Sequence, residues 1–249
     1  MSAWRKHPFR VTGRTFWLGG ALALGAACFL PRCAFRGKAN RAARSRWLRE
    51  VARRLLPVFG VEIQIRGELP SGGLLVCNHL SYLDIVVLAA ITPAVFVSKS
   101  EVRHWPVFGW FAKVAGSIFV NRQSRGQVGQ LAEEMEDVLE SGLLVILFPE
   151  GTSSGGETVL PFKSSLLEPA TRRDHPLWVA LIQNELPAGD GDVAEEVCYW
   201  KDMTLGPHLV NLLGKKSVRA RLSFARVEDR ATDRKELARQ LHSRVLGMK

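Results

Sequence analysis

Three short stretches carry residue types that could do chemistry. The first is Asn78-His79-Leu80-Ser81-Tyr82-Leu83-Asp84, directly after the apolar run Leu74-Leu75-Val76-Cys77. An imidazole held at one nitrogen by a carboxylate is more basic at the other, and can take a proton from a hydroxyl. Inside one straight helix, residues five apart stand about 140° apart and do not meet. If Ser81 is instead a helix N-cap, His79 falls in the strand-to-helix turn and Asp84 in the first turn, facing back towards it. The same Ser81-x-x-Asp84 spacing is close to a capping box, in which Asp84 only finishes a helix end. The residues alone leave both uses of Asp84 open.

The second stretch is Phe148-Pro149-Glu150-Gly151-Thr152-Ser153-Ser154-Gly155-Gly156, after the most apolar run of the chain. A glycine-rich turn with free backbone N–H groups can cradle an anion, with hydroxyls as further donors; a tight surface loop is the plainer use. Gly151 to Gly155 also spells G-x-S-x-G, the nucleophile elbow of serine hydrolases, and Ser153, Asp192 and His208 follow in a formal triad order. That elbow requires a helix at once, whereas Gly155, Gly156 and Pro161 flank only Thr158-Val159-Leu160. Between the two stretches lies Gly116-Ser117-Ile118-Phe119-Val120-Asn121-Arg122, where Arg122 at a strand end could grip a phosphate bidentately or lie as a plain surface arginine.

The elements that must position these residues alternate. Val61–Ile65 alternates as a half-exposed strand; Leu74–Cys77, Ala94–Val97, Ser117–Val120, Leu143–Phe148 and Leu177–Ile182 read as further strands. Glu196–Tyr199 and Val218–Val227 are expected as later strands. Leu83–Ile91, Val107–Ala115, Arg125–Ser141 and Asp233–Leu246 are expected helices. The fold class is therefore α/β, a mixed, mainly buried sheet flanked by helices.

Charge is unevenly placed over the 249 residues, whose net charge is +10 and mean hydropathy close to zero. Residues 1–56 carry +12, residues 57–214 carry −9, and residues 215–249 carry +7. A nucleic-acid enzyme would more often line its body with positive charge, so no nucleic-acid partner is expected. Cys28, Cys33, Cys77 and Cys198 form no CxxC pair, and no metal site is expected. So few cysteines in so long a chain point to a reducing compartment.

The positive N-terminus contains an uncharged stretch, Thr15 to Pro31. As a helix, its residues before Pro31 reach about 24 Å, short of the roughly 30 Å hydrocarbon core. A basic start, a short apolar region and Ala26-Ala27-Cys28 also fit a secretory or lipoprotein signal. From Ala39 to Val58 an amphipathic helix follows, with Trp47, Leu48, Val51, Leu55 and Val58 on one side and six arginines between Arg41 and Arg54 supplying charge. The expected division is a membrane-anchoring segment, 1–58, contacting anionic membrane lipid, and a catalytic domain, 59–249. The alternative is a helix packed on the body with solvated arginines.

Taken together, the three blocks resemble the glycerolipid acyltransferases of the 1-acylglycerol-3-phosphate acyltransferase type. Asn78-His79 with Asp84 matches their N-H-x-x-x-x-D block, Gly116 to Arg122 their G-x-x-F-V-x-R block, and Phe148 to Thr152 their F-P-E-G-T block. Arg103 to Gly109 is similar to the stretch before the second block, and the N-terminus resembles the two-helix anchor of bacterial members. The resemblance implies transfer of a fatty acyl group from acyl-CoA or acyl-carrier protein, with no other cofactor, to the hydroxyl of a lysophospholipid. Lysophosphatidate is the first expectation and lyso-ornithine lipid the alternative, at the cytoplasmic face of the membrane. It implies His79 as base, Asp84 as its partner, and Arg122, Glu150, Gly151 and Thr152 about the glycerol phosphate. Glu150 beside a phosphate is unusual, and a contact to a glycerol hydroxyl or to Arg122 suits it better. Ser153 stands where the family often has Arg, with Lys163 expected to compensate. Pro176 precedes Leu177–Leu181, whereas the family usually has its proline within that strand. Cys198–Met203, followed by Pro207-His208-Leu209, matches no general block.

Overall fold

The computed structural model describes residues 7–33, 40–120, 126–172 and 175–249. In chain order the helices are α1 (Pro8–Cys33), α2 (Arg41–Phe59), α3 (Tyr82–Ile91), α4 (Phe108–Val114), α5 (Gly126–Glu140), α6 (Glu168–Arg172), α7 (Val193–Glu196), α8 (Leu205–Gly214) and α9 (Arg234–Leu246). The strands are β1 (Val61–Arg66), β2 (Gly73–Cys77), β3 (Ala94–Lys99), β4 (Ile118–Val120), β5 (Leu144–Leu147), β6 (Leu177–Glu185) and β7 (Val218–Arg226).

The strands form a single sheet in the order β1-β7-β6-β2-β5-β3-β4. From β6 to β4 all neighbours are parallel; β7 is antiparallel to β6, and β1 runs parallel to β7. The mixed sheet expected from the sequence is thus present. Side chains alternate between its faces as the pleat requires. Leu75, Cys77, Phe96, Ile146 and Ala180 enter one core with α2 and α3. Leu74, Val76, Val95, Val145 and Leu147 enter a second core with α5 and α9.

Parallel strands expose their carboxyl ends at one edge of the sheet, where open α/β sheets bind ligands. β2 is hydrogen-bonded between β6 and β5, yet the chain leaving it crosses through α3 to β3, beyond β5. Asn78-His79 leaves the end of β2, and Phe148-Pro149-Glu150 the end of β5. The register Val76↔Leu147 places the two segments side by side.

The sequence misplaced two regions. Glu196–Tyr199 is not a strand: Asp192 caps the short helix α7 by accepting from the Glu195 N–H at 2.9 Å, and the chain then runs irregularly through Cys198. Val197 and Cys198 are apolar because tertiary packing buries them, not because they pleat. Helix α8 was not anticipated. It begins around Pro207, a residue tolerated in a first turn, and buries His208, Leu212 and Leu213.

The N-terminal segment also differs from expectation. The apolar side of α2 is built into the body: Trp47, Val51, Ala52, Leu55, Val58 and Phe59 are all buried in the core that also holds α3. Its arginines are largely spent within the molecule. Arg49 and Arg53 donate to the Ala90 carbonyl at the end of α3, at 3.4 and 3.2 Å, and Arg41 pairs with Glu134 at 2.8 Å. The packed-helix alternative therefore holds for α2, with bound rather than solvated arginines. Helix α1 crosses α2 closely at Gly25, where an added Cβ would lie 2.9 Å from Val51; the Gly25 carbonyl accepts from Trp47 Nε1 at 2.9 Å. Arg10 and Arg14 fasten α1 to α8, donating to the carbonyls of Leu213, Gly214, Lys215 and Lys216. Among the described residues no helix is long and apolar enough to cross a membrane. The single-pass anchor is thus not supported.

Candidate active site

Asn78 splices the two central strands beyond the last residue of β2. Its amide donates to the Ile182 carbonyl at 3.0 Å and accepts from the Ile182 N–H at 2.7 Å. That pair of bonds fixes where the backbone turns, and so where His79 emerges. The His79 ring stacks on Phe148, with centroids 4.2 Å apart and planes inclined by 19°. Its backbone N–H donates to Glu150 Oε1 at 2.6 Å.

Ser81 is the N-cap of α3, and the capping box is present. Asp84 Oδ2 accepts from the N–H groups of Leu80 (2.6 Å) and Ser81 (2.9 Å), and lies 2.9 Å from His79 Nδ1. The two uses of Asp84 left open by the sequence coexist in one carboxylate. Backbone donors immobilise it at the positive end of α3, and it in turn holds Nδ1–H of His79. The lone pair of the neutral imidazole then sits on Nε2. Asp84 is 1% exposed, whereas the His79 side chain retains 21% of its surface.

His79 lines a cavity of about 400 Å³ whose remaining wall is mostly apolar. Leu48, Val51 and Leu55 of α2 and Ile85 and Val86 of α3 line it. Gly151, Thr152 and Ser153 border it beside His79. Gly151 has φ +76° and closes a turn from its N–H to the Phe148 carbonyl at 3.2 Å, a conformation that suits glycine. Aromatic side chains absent from the sequence-based site, Tyr82, Trp105, Phe108, Tyr199 and Trp200, complete the wall. Tyr199 and Trp200 had a signal in the sequence, the aromatic pair within Cys198–Met203 that no motif explained.

The other expected site residues are placed as follows. Glu150 is buried and does not line the cavity. One carboxylate oxygen accepts from His79 N–H and the other from Leu160 N–H at 2.8 Å, so it ties the His79 turn to the Phe148–Gly156 loop. Burial raises its pKa to about 7, against the opposing pull of those two N–H donors. Lys163 is exposed and outside the cavity lining; its backbone N–H binds the Pro149 carbonyl. Arg122 lies outside the described residues.

The Ser153–Asp192–His208 alternative is not assembled. Ser153 Oγ donates to the Tyr199 carbonyl, and Asp192 caps α7. His208 Nε2–H donates to the Cys198 carbonyl at 2.9 Å, leaving Nδ1 to accept from the Tyr82 hydroxyl at 2.9 Å. Burial lowers the His208 pKa, opposed by the bond to the Cys198 carbonyl. Among the described residues, no group of three or more His, Cys, Asp or Glu could hold a metal ion.

A carboxylate-oriented histidine at the carboxyl edge of an α/β sheet, opening on an apolar cavity, is an arrangement that can take a proton beside an apolar chain. The family model described as Acyltransferase matches residues 60–180. The lyso-ornithine lipid O-acyltransferase of Brucella abortus is 37% identical over 205 residues, covering 77% of this chain and 77% of that protein. The 1-acyl-sn-glycerol-3-phosphate acyltransferase of Neisseria meningitidis serogroup B is 28% identical over 199 residues, covering 76% and 74%. In fold, the crystal structure of the 1-acyl-sn-glycerophosphate acyltransferase PlsC from Thermotoga maritima superposes with a TM-score of 0.68, covering 99% of this chain and 97% of that one at 18% identity. The chain belongs to the acyltransferase family and is an acyltransferase.

Proposed function

We propose that the protein transfers a fatty acyl group from an acyl thioester, carried by CoA or acyl-carrier protein, to the free hydroxyl of a lysolipid. The observation that carries this reading is the Asp84–His79 pair opening on an apolar cavity. His79 Nε2 removes the hydroxyl proton as that oxygen attacks the thioester carbonyl. The new C–O bond forms, the C–S bond breaks, and the proton passes from His79 to the departing thiolate. Asp84 keeps the imidazole in the required tautomer and offsets its transient positive charge. The apolar wall holds an acyl chain. Gly151 and Thr152, with Arg122, are assigned to the acceptor headgroup; Lys163, expected there from the sequence, lies outside the cavity lining.

The Brucella relative, 37% identical over 77% of this chain, favours lyso-ornithine lipid as the acceptor. The Neisseria relative keeps lysophosphatidate as the second reading. The enzyme is assigned to a membrane surface on a monotopic footing. Phe9, Phe16, Trp17 and Leu24 of α1 are exposed within about 100° of its circumference, a stripe suited to the interfacial layer. A reconstituted assay with radiolabelled acyl donor and each lysolipid in turn tests the whole reading. Labelled diacyl product from one acceptor and none from His79→Ala is expected; no product from any lysolipid overturns it.

A further inference from the structure

Two non-glycine residues among those described adopt a left-handed φ, Val107 (60°) and Lys201 (52°), and both belong to segments at the cavity. Lys201 lies in the turn that closes with Met203 N–H on the Trp200 carbonyl. A lysine there is held in a conformation that a glycine would adopt freely. Backbone strain of this kind persists when the surroundings over-determine the residue, and here they do. Tyr199 N–H donates to the Leu80 carbonyl at 2.8 Å, and Ser153 Oγ holds the Tyr199 carbonyl from the other side. The Trp200 indole donates to the Ala194 carbonyl at 2.9 Å, and its ring lies against the backbone of Gly155. The segment bearing Lys201 is therefore pinned to the two loops flanking His79, through Leu80 on one and Ser153 on the other.

Lys201 is exposed, lines the cavity, and has its ammonium 3.7 Å from the centroid of the Trp200 ring. No carboxylate among the described residues pairs with it. Lys163, the cation expected to stand in for an arginine at position 153, is outside the cavity lining. Ser153 itself uses its hydroxyl to fix Tyr199, so position 153 supplies no charge and instead anchors the segment that does.

We infer that Lys201 binds the acidic group of the acceptor headgroup, phosphate or carboxylate, and so selects the acceptor. The inference rests on the acyltransferase reading above. A charged donor on an anionic group, backed by an aromatic face that keeps the ammonium at the mouth, gives affinity without touching the reacting atoms.

The test compares wild type with Lys201→Gly, Lys201→Arg and Lys201→Ala, using lysophosphatidate, lyso-ornithine lipid and uncharged monoacylglycerol as acceptors. Lys201→Gly relieves the strained φ, so it removes the charge without loss of thermal stability. KM for the charged acceptor that the wild type uses should rise about tenfold or more, with kcat and the donor KM little changed. Lys201→Arg should keep most of the affinity, and any monoacylglycerol turnover should be indifferent to all three changes. Which acidic acceptor responds tells phosphate from carboxylate. An unchanged acceptor KM, an equal loss with monoacylglycerol, or a rise confined to the donor KM overturns the assignment while leaving the transferase reading intact. Absence of wild-type turnover on every lysolipid overturns that reading instead.

Discussion

At the scale of single residues, Asp84 and His79 separate stability from chemistry. His79→Ala removes a partly exposed ring and no backbone bond, so turnover should fall by about 10²–10⁴-fold while far-UV circular dichroism and the melting temperature stay near wild type. Asp84→Ala strips acceptors from Leu80 and Ser81 as well as from His79. It should cost about 1–2 kcal/mol of stability on top of a comparable loss of rate. Equal melting temperatures for the two variants would contradict the dual role. Glu150 gives a pH signature. Its folded pKa of about 7 lies above the ordinary carboxyl value of 4.5, so the folded state retains a proton that the unfolded state gives up. Its contribution should therefore weaken stability as pH rises from about 4.5 to 7 and level off above. Glu150→Gln should flatten that part of the slope in denaturation midpoints taken between pH 5 and 8; an unaltered slope would assign the dependence elsewhere. His79, Asp84 and Glu150 were all visible in the sequence because short motifs carry them. The role of Glu150 was not visible, since its partners, the His79 and Leu160 N–H groups, come together only through the register of β2 on β5.

At the scale of elements, the strands were legible because each is a short apolar run, and buried parallel strands are nearly continuous in hydrophobicity. Val197-Cys198 imitates such a run without pairing, and α8 carries a proline that weakens a helical reading, so both were misjudged. The amphipathic pattern of α2 was correct as a pattern. Periodicity shows that a face is apolar, not whether protein or lipid covers it, and here the protein does. The crossing of α1 over α2 at Gly25 gives a further test. Gly25→Leu places a side chain into Val51, and should cost about 1–3 kcal/mol while displacing Leu22 from the cavity wall. A variant as stable as wild type, with unaltered use of long acyl chains, would show that α1 does not shape the cavity. Arg14→Ala should loosen the same helix by removing donors from the carbonyls of Leu213, Lys215 and Lys216, at and just beyond the end of α8. Limited proteolysis would detect this as earlier cleavage within the first turns of α1.

At the scale of the whole molecule, the positive charge does less at a lipid surface than its amount suggests. Arg10, Arg14, Arg41, Arg49 and Arg53 all bind groups within the protein. The exposed stripe on α1 is the better candidate for lipid contact. Replacing Phe16 and Trp17 together by Ser should reduce sedimentation with anionic vesicles while turnover of detergent-dispersed substrate persists. Loss of both together, or of neither, would argue against a surface-docking stripe.

The tie between α1 and α8 also dictates an order of assembly. Arg10 bonds the Gly214 carbonyl across 204 positions of sequence, so α1 can meet α2 soon after both are made, but its fastening to α8 waits until Gly214 has been synthesised. During that interval the first turns of α1, around Arg10, Val11 and Arg14, lack the partner that α8 supplies. A nascent chain thus presents apolar residues around more of α1 than the finished enzyme does. If α1 meets lipid, its affinity should be greatest before α8 is in place, with vesicle binding of a chain ending before residue 205 exceeding that of the full chain as the expected outcome.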